Sequence, residues 1–135
     1  MKKARFELSD REQQTMELFW RTEDGLTSVD IIEQLGNIMI TPTYAHRTLN
    51  TLLDKKLIKE CGSVRYNKQY ARKFKAAITK EEYAAGLLEE KGINFQSLNG
   101  IAMAFLKQSK KINTQEKEEV VRELKKMIAD IEKEN

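Results

Sequence analysis

The sequence predicts a mainly α fold with a small β-hairpin. Two observations carry this expectation. Three helix-start signals precede residue 57, and the apolar periodicity then shortens over residues 57–78 before helical spacing returns. At 135 residues the chain suits one domain, or a small domain with a helical arm. The expected division is a first domain over residues 1–78 and a helical region over 79–135.

Ser9-Asp10-Arg11-Glu12 fits a capping box, in which Ser9 and Glu12 satisfy opposite ends of a first turn. Met16, Phe19 and Trp20 follow at helical spacing, so a first helix is expected over Asp10–Arg21, with Trp20 in the core. Glu23-Asp24-Gly25 breaks it. Thr27 caps a second, short helix that turns Val29, Ile31, Ile32 and Leu35 inward, with Gly36 as a left-handed stop. Thr41-Pro42 starts a third helix, running to about Lys56. Leu57–Cys61 then reads as a strand, Gly62-Ser63 as a bend and Tyr70–Ile78 as an alternating second strand, with a polar tip near Arg65-Tyr66-Asn67-Lys68. Cys61 on this ribbon is expected as a small buried apolar group. Thr79-Lys80-Glu81-Glu82 is another capping box, opening a helix with Tyr83, Leu87 and Leu88 that ends at Gly92. Phe95, Leu98, Ile101, Phe105 and Leu106 mark a fifth helix. Asn113 starts a sixth, striped by Val120, Val121, Leu124, Met127, Ile128 and Ile131.

Composition narrows function by exclusion. No apolar run reaches the ~18 residues a membrane helix needs, and residues 1–5 turn polar at once, so neither a membrane partner nor a signal peptide is expected and the location expected is cytoplasmic. One Cys and one His leave few nucleophile–base pairs and no Cys-only metal cluster, so neither an enzyme, a cofactor nor a metal is expected. The acidic pairs Glu81-Glu82, Glu89-Glu90 and Glu118-Glu119 are neighbours on helices. Each pair splays apart as solvated surface.

Charge points to a partner. The chain carries +3 overall, yet residues 1–78 hold 14 basic and 10 acidic side chains, while 79–135 hold 10 and 11. Lys55–Lys75 contains eight basic residues against Glu60 alone, an excess that repels itself and suits a polyanion. On the third helix, Ala45, Leu49, Leu52 and Leu53 share an inward face. The opposite face gathers Thr43, Arg47, Asn50 and Asp54, flanked by Tyr44, His46 and Thr51. Asn can bond adenine, Arg can bond guanine, and a Thr methyl can touch thymine. A helix N-terminus near Thr41 and Thr43 favours a phosphate. The expected double-stranded DNA contacts are therefore Thr41, Thr43, Tyr44, Arg47, Asn50 and Thr51, with Arg65, Lys68, Arg72 and Lys73 of the ribbon gripping phosphates. The second and third helices, joined through Gly36–Ile40, suit a helix-turn-helix, and with the basic ribbon they make a winged one.

The last three helices are too few to bury their own stripes. A symmetric homodimer is expected, sharing Leu87, Leu98, Ile101, Phe105, Leu106, Val120, Leu124, Met127, Ile128 and Ile131. An alternative keeps the fold as a protein-binding adaptor whose wing docks an acidic partner.

Leu8-Ser9-Asp10-Arg11-Glu12 followed by Met16 and Trp20 resembles the opening Leu-Ser-Asp-x-Glu-x-x-x-Met-x-x-x-Trp of the penicillinase-repressor family. That family includes methicillin-resistance and copper-responsive repressors. Pro42, Ala45, Leu49 and Leu52–Ile58 are similar to its recognition helix and wing entry, and Phe74–Tyr83 to its strand running into an Ile-Ser-x-Glu-Glu-Tyr helix start. Ser97-Leu98 ahead of Phe105-Leu106, with a charged last helix, continues the likeness over nearly the whole chain. The resemblance implies a homodimeric repressor that binds a palindromic operator through its winged helices and pairs through its C-terminal helices. The chain departs from the family at Arg47 (usually Thr), Thr51 (usually Arg) and Lys56 (usually Gly). The Asn–Phe bond cut in the antibiotic-sensing branch corresponds to Ala104-Phe105, and the C-terminal cysteines of the copper-sensing branch have no counterpart. The resemblance therefore names no inducer.

Overall fold

A computed structural model describes residues 4–37, 41–108 and 113–134. Among these residues it is a winged helix followed by further helices, in the order α1 (Asp10–Arg21), α2 (Ser28–Leu35), α3 (Pro42–Asp54), β1 (Ile58–Tyr66), β2 (Gln69–Ala76), α4 (Lys80–Glu90), α5 (Leu98–Gln108) and α6 (Thr114–Lys133). A 3₁₀ turn over Phe95–Ser97 leads into α5. The chain forms two compact units, Met1–Gly92 and Ile93–Asn135. The first unit extends past Ile78 and takes in α4.

Local chemistry sets the helix starts. The Ser9, Thr27 and Thr79 side chains each accept from the backbone N–H three residues on, and the acid at that position returns the bond. Thr41 caps α3 with Pro42 behind it, and Asn113 caps α6. The stops differ more from expectation. Gly36 is right-handed at φ −59°, not a left-handed stop. The loop residues 38–40 between α2 and α3 lie outside the described residues. The helix α3 ends at Asp54, and Lys56 takes the left-handed position beyond it at φ +61°.

The core joins α1, α2, α3 and the ribbon through Met16, Phe19, Ile31, Ala45, Leu49, Leu52, Leu57, Ile58 and Phe74, all nearly inaccessible to solvent. Thr48 shares the inner face of α3, whereas Leu53 is only half-buried. Val29 is 40 % exposed rather than inward. Trp20 packs against the core's edge and donates Nε1–H to the Ile78 carbonyl at 3.0 Å.

The ribbon is longer than its sequence suggests. Ile58 pairs with Ala76 and Tyr66 with Gln69, which leaves a two-residue turn at Asn67-Lys68. Asn67 supplies the positive φ of +55°. Gly62-Ser63 lies within β1, where the ladder shifts between Glu60 and Gly62. Cys61 is the extra residue of this bulge, and it is exposed rather than buried, with its Sγ beside Gly25. A third short strand position adds to the ribbon without any signal in the sequence. Leu26 N–H donates to the Phe74 carbonyl at 2.7 Å and Phe74 N–H returns the bond at 2.8 Å. The approach needs Gly25 at φ +88°, because a Cβ there would stand 2.8 Å from the Phe74 oxygen.

The segment ahead of α1 braces the unit. Arg5 donates to the carbonyls of Lys55 and Lys56 at 2.7 and 3.2 Å, and Lys55 Nζ donates to the Glu7 carbonyl at 2.7 Å. Phe6 N–H lies 3.1 Å from both Glu90 oxygens, and the Phe6 ring stands edge-on to Tyr83 over Gly86. Tyr83 packs on Trp20 and donates to Gln13 Oε1 at 2.9 Å. Burial, then the carboxylates of Glu17 and Glu90, raise this phenol above its ordinary pKa.

The second unit differs in kind. Neither α5 nor α6 contains a fully buried residue. Phe95, Leu98, Met103, Phe105, Val121, Leu124, Met127, Ile128 and Ile131 are all exposed, Phe95 at 83 % and Phe105 at 66 %. Ile101, Leu106 and Val120 are half-buried, as is Leu87 on α4 in the first unit. No helix among the described residues is long and apolar enough to cross a membrane.

Candidate nucleic-acid interface

The inner face of α3 is fixed by Ala45, Thr48, Leu49 and Leu52, so its outer face is fixed as well. Thr43, His46, Arg47, Asn50, Thr51 and Asp54 line one shallow surface groove there. Thr51 is half-buried, and its hydroxyl donates back to the Arg47 carbonyl at 3.0 Å, leaving a methyl and one acceptor oxygen for a ligand. The first turn holds no acid, whereas α1, α2, α4 and α6 each carry one or more. The positive end of this helix is therefore unmasked.

Tyr44 is half-buried rather than open. The Arg11 guanidinium lies 4.4 Å from its ring centre and that of Arg47 lies at 5.9 Å.

A second groove runs between α3 and the ribbon. His46, Leu49 and Asn50 form one wall, Tyr66, Gln69, Tyr70 and Arg72 the other, with Ser28 and Val29 at the α2 end. The ribbon's height beside α2 is set by the Tyr66 hydroxyl, which shares a 3.2 Å hydrogen bond with Thr27 Oγ1. Thr27 is fully buried, so the tip is tied to a fixed point.

The basic side chains of the ribbon fall into two groups. Arg72 pairs with Glu60 at 3.3 Å, both half-exposed, a contact worth little in water. Lys59, Arg65, Lys68, Lys73 and Lys75 have no acidic partner among the described residues. Arg65 donates to the Asn67 carbonyl at 2.9 Å and lies over Tyr70, and Lys68 stands at the turn. Lys73 is half-buried, its stem close to Gly25.

Of the residues expected from sequence, Thr43, Arg47, Asn50 and Thr51 thus share one face, and Asn50 faces Arg72 across the second groove. Lys68 and Arg65 sit at the far end of the ribbon, and Thr41 serves as a cap. Tyr66, Tyr70 and Arg11 join the surface beyond that expectation, and His46 lies on the flank where helical spacing put it. Alternation could have suggested the tyrosines, but no local pattern places Arg11 beside Tyr44. No group of three or more His, Cys, Asp or Glu among the described residues is placed to hold a metal ion.

This arrangement of helix and basic wing agrees with comparison to known families. The family model described as penicillinase repressor matches residues 8–129. The chain belongs to the penicillinase repressor family. Members of the penicillinase repressor family are in general DNA-binding transcriptional repressors and not enzymes. No curated protein and no solved structure matches the chain. The family match spans both compact units, so it covers the penicillinase repressor winged helix and the helices that follow it.

Proposed function

We propose that this penicillinase repressor family member binds a palindromic operator as a homodimer, with one α3 in each of two successive major grooves. The observation that carries the reading is the outer face of α3, uncharged but for Arg47 and Asp54 and adjoining a ribbon with five cations lacking acidic partners among the described residues. On this reading Arg47, Asn50 and Thr51 meet base edges, and Arg65, Lys68 and Lys73 meet phosphates. Residues 1–78 contact DNA and residues 79–135 join the two chains. Support for the pairing comes from α5 and α6, whose apolar side chains stand exposed. A second copy would cover them with a matching stripe.

The test is selection of bound duplexes from a random pool, followed by competition at moderate salt and measurement of mass in solution. The selected sites are expected as two half-sites about 10 bp apart, or a multiple of that, centre to centre. Equal competition by operator and random DNA would reject specific repression. A salt-independent lack of binding to any duplex would favour the adaptor reading. A monomeric mass at working concentration would reject the pairing.

A further inference from the structure

Arg11 belongs to α1, outside the reading helix, yet its side chain lies against that helix's first turn. Its guanidinium carbon is 4.4 Å from the centre of the Tyr44 ring, and that of Arg47 is 5.9 Å from the same centre. Two guanidinium groups therefore lie near one aromatic ring. Among the described residues neither forms an ion pair. Arg11 Nε is buried with no hydrogen-bond partner.

Two of these facts are unfavourable in the protein alone. A buried guanidinium N–H left unbonded loses its hydration without compensation. Two like charges near one ring repel, and the ring's negative face offsets only part of that. An anion reaching the remaining N–H groups would relieve the second, by neutralising the paired charge. A planar guanidinium suits two oxygens of a phosphate at once.

We propose that Arg11 takes a backbone phosphate of the bound duplex, and that Tyr44 is a positioning residue holding Arg11 and Arg47 beside one another. The inference rests on the reading of α3 as the DNA-facing helix and extends that surface onto α1. Arg47 then reads a base while Arg11, beside the same ring, fixes the strand's height.

The experiment uses the full chain and the selected operator, titrated by fluorescence anisotropy over a series of KCl concentrations. Arg11→Met keeps a stem over the Tyr44 ring while removing the charge and the unbonded N–H. It is expected to weaken operator and unrelated duplex by the same factor, and to lower the slope of log K against log salt by about 0.9. Arg11→Lys should restore most of that slope. Tyr44→Leu should lose discrimination at the base pairs that Arg47→Ala affects, while Tyr44→Phe should keep it. A scan of single neutral methylphosphonates should find one phosphate whose neutralisation weakens the native chain but not Arg11→Met.

An unchanged slope in Arg11→Met overturns the proposal whatever its affinity, because loss of folded protein lowers the active fraction and not the slope. So does a methylphosphonate scan with no position that spares the variant. If the native chain itself shows no salt-dependent binding, the DNA reading falls together with this one. If it binds and Arg11→Met runs parallel to it, only the role of Arg11 falls.

Discussion

Lys56→Gly should make the protein more stable. Lys56 sits just past the end of α3 at φ +61°, where an L side chain crowds the following carbonyl at a cost of about 1–2 kcal/mol. Glycine removes that strain but loses more backbone freedom on folding, about 0.5–1 kcal/mol. The side chain offers little to set against this. It is exposed and makes no hydrogen bond or ion pair among the described residues. The backbone bonds remain in either case, N–H to the Leu53 carbonyl at 2.9 Å and carbonyl to Arg5 at 3.2 Å. The net expectation is a gain of about 0.5–1 kcal/mol, or about 3–6 °C in Tm for a unit of this size. Thermal and urea unfolding would measure it, with Lys56→Ala as the control. Alanine keeps the strain and removes the charge, so it should stay within about 0.5 kcal/mol of the native chain. If Lys56→Ala stabilises as much as Lys56→Gly, relief of charge repulsion is the cause and the backbone argument is refuted. A glycine variant that melts lower refutes it too.

Three further outcomes follow from particular contacts. Gly86→Ala should destabilise by about 1–3 kcal/mol, since its Cβ would overlap the Phe6 ring, yet in a Phe6→Ala background the same change should stabilise as alanine normally does in a helix; a double-mutant cycle in urea reads the reversal. The raised pKa of Tyr83 means that the unfolded phenol ionises first, so its contribution is intact below about pH 10 and is lost as pH rises through the unfolded and then the folded value. Tyr83→Phe should flatten that alkaline loss in denaturation curves, while costing about 1 kcal/mol at neutral pH for the bond to Gln13. Arg47→Ala should cost about 1–3 kcal/mol at particular base pairs of the operator, whereas Lys68→Ala should weaken every duplex alike and lower the salt slope by about 1, as competition titrations would show.

Local chemistry was legible in the sequence and distant pairing was not. Ser9, Thr27, Thr41, Thr79 and Asn113 each announce a helix because a cap needs only the next three residues. The two faces of α3 follow from its period, so helical spacing alone brings Thr43, Arg47 and Asn50 together. Gly36 misled because a glycine permits a left-handed stop without requiring one. Cys61 misled because its burial depends on register, and the bulge beside Gly62 shifts the register by one residue. The Leu26–Phe74 bridge joins residues 48 positions apart and carries no periodic signal. The same holds for Arg11 and Tyr44, which meet only because α1 crosses the start of α3.

The bonds made by Arg5 and Phe6 span 50 and 84 positions of sequence. Contacts of such separation return little until the rest of the chain has closed the distance, since the loop entropy must be met first. The opening segment therefore works as a latch on a nearly finished body. It bonds the end of α3 with one residue and the end of α4 with the next, so a single short stretch ties the helix proposed to meet DNA to the last helix of its own unit.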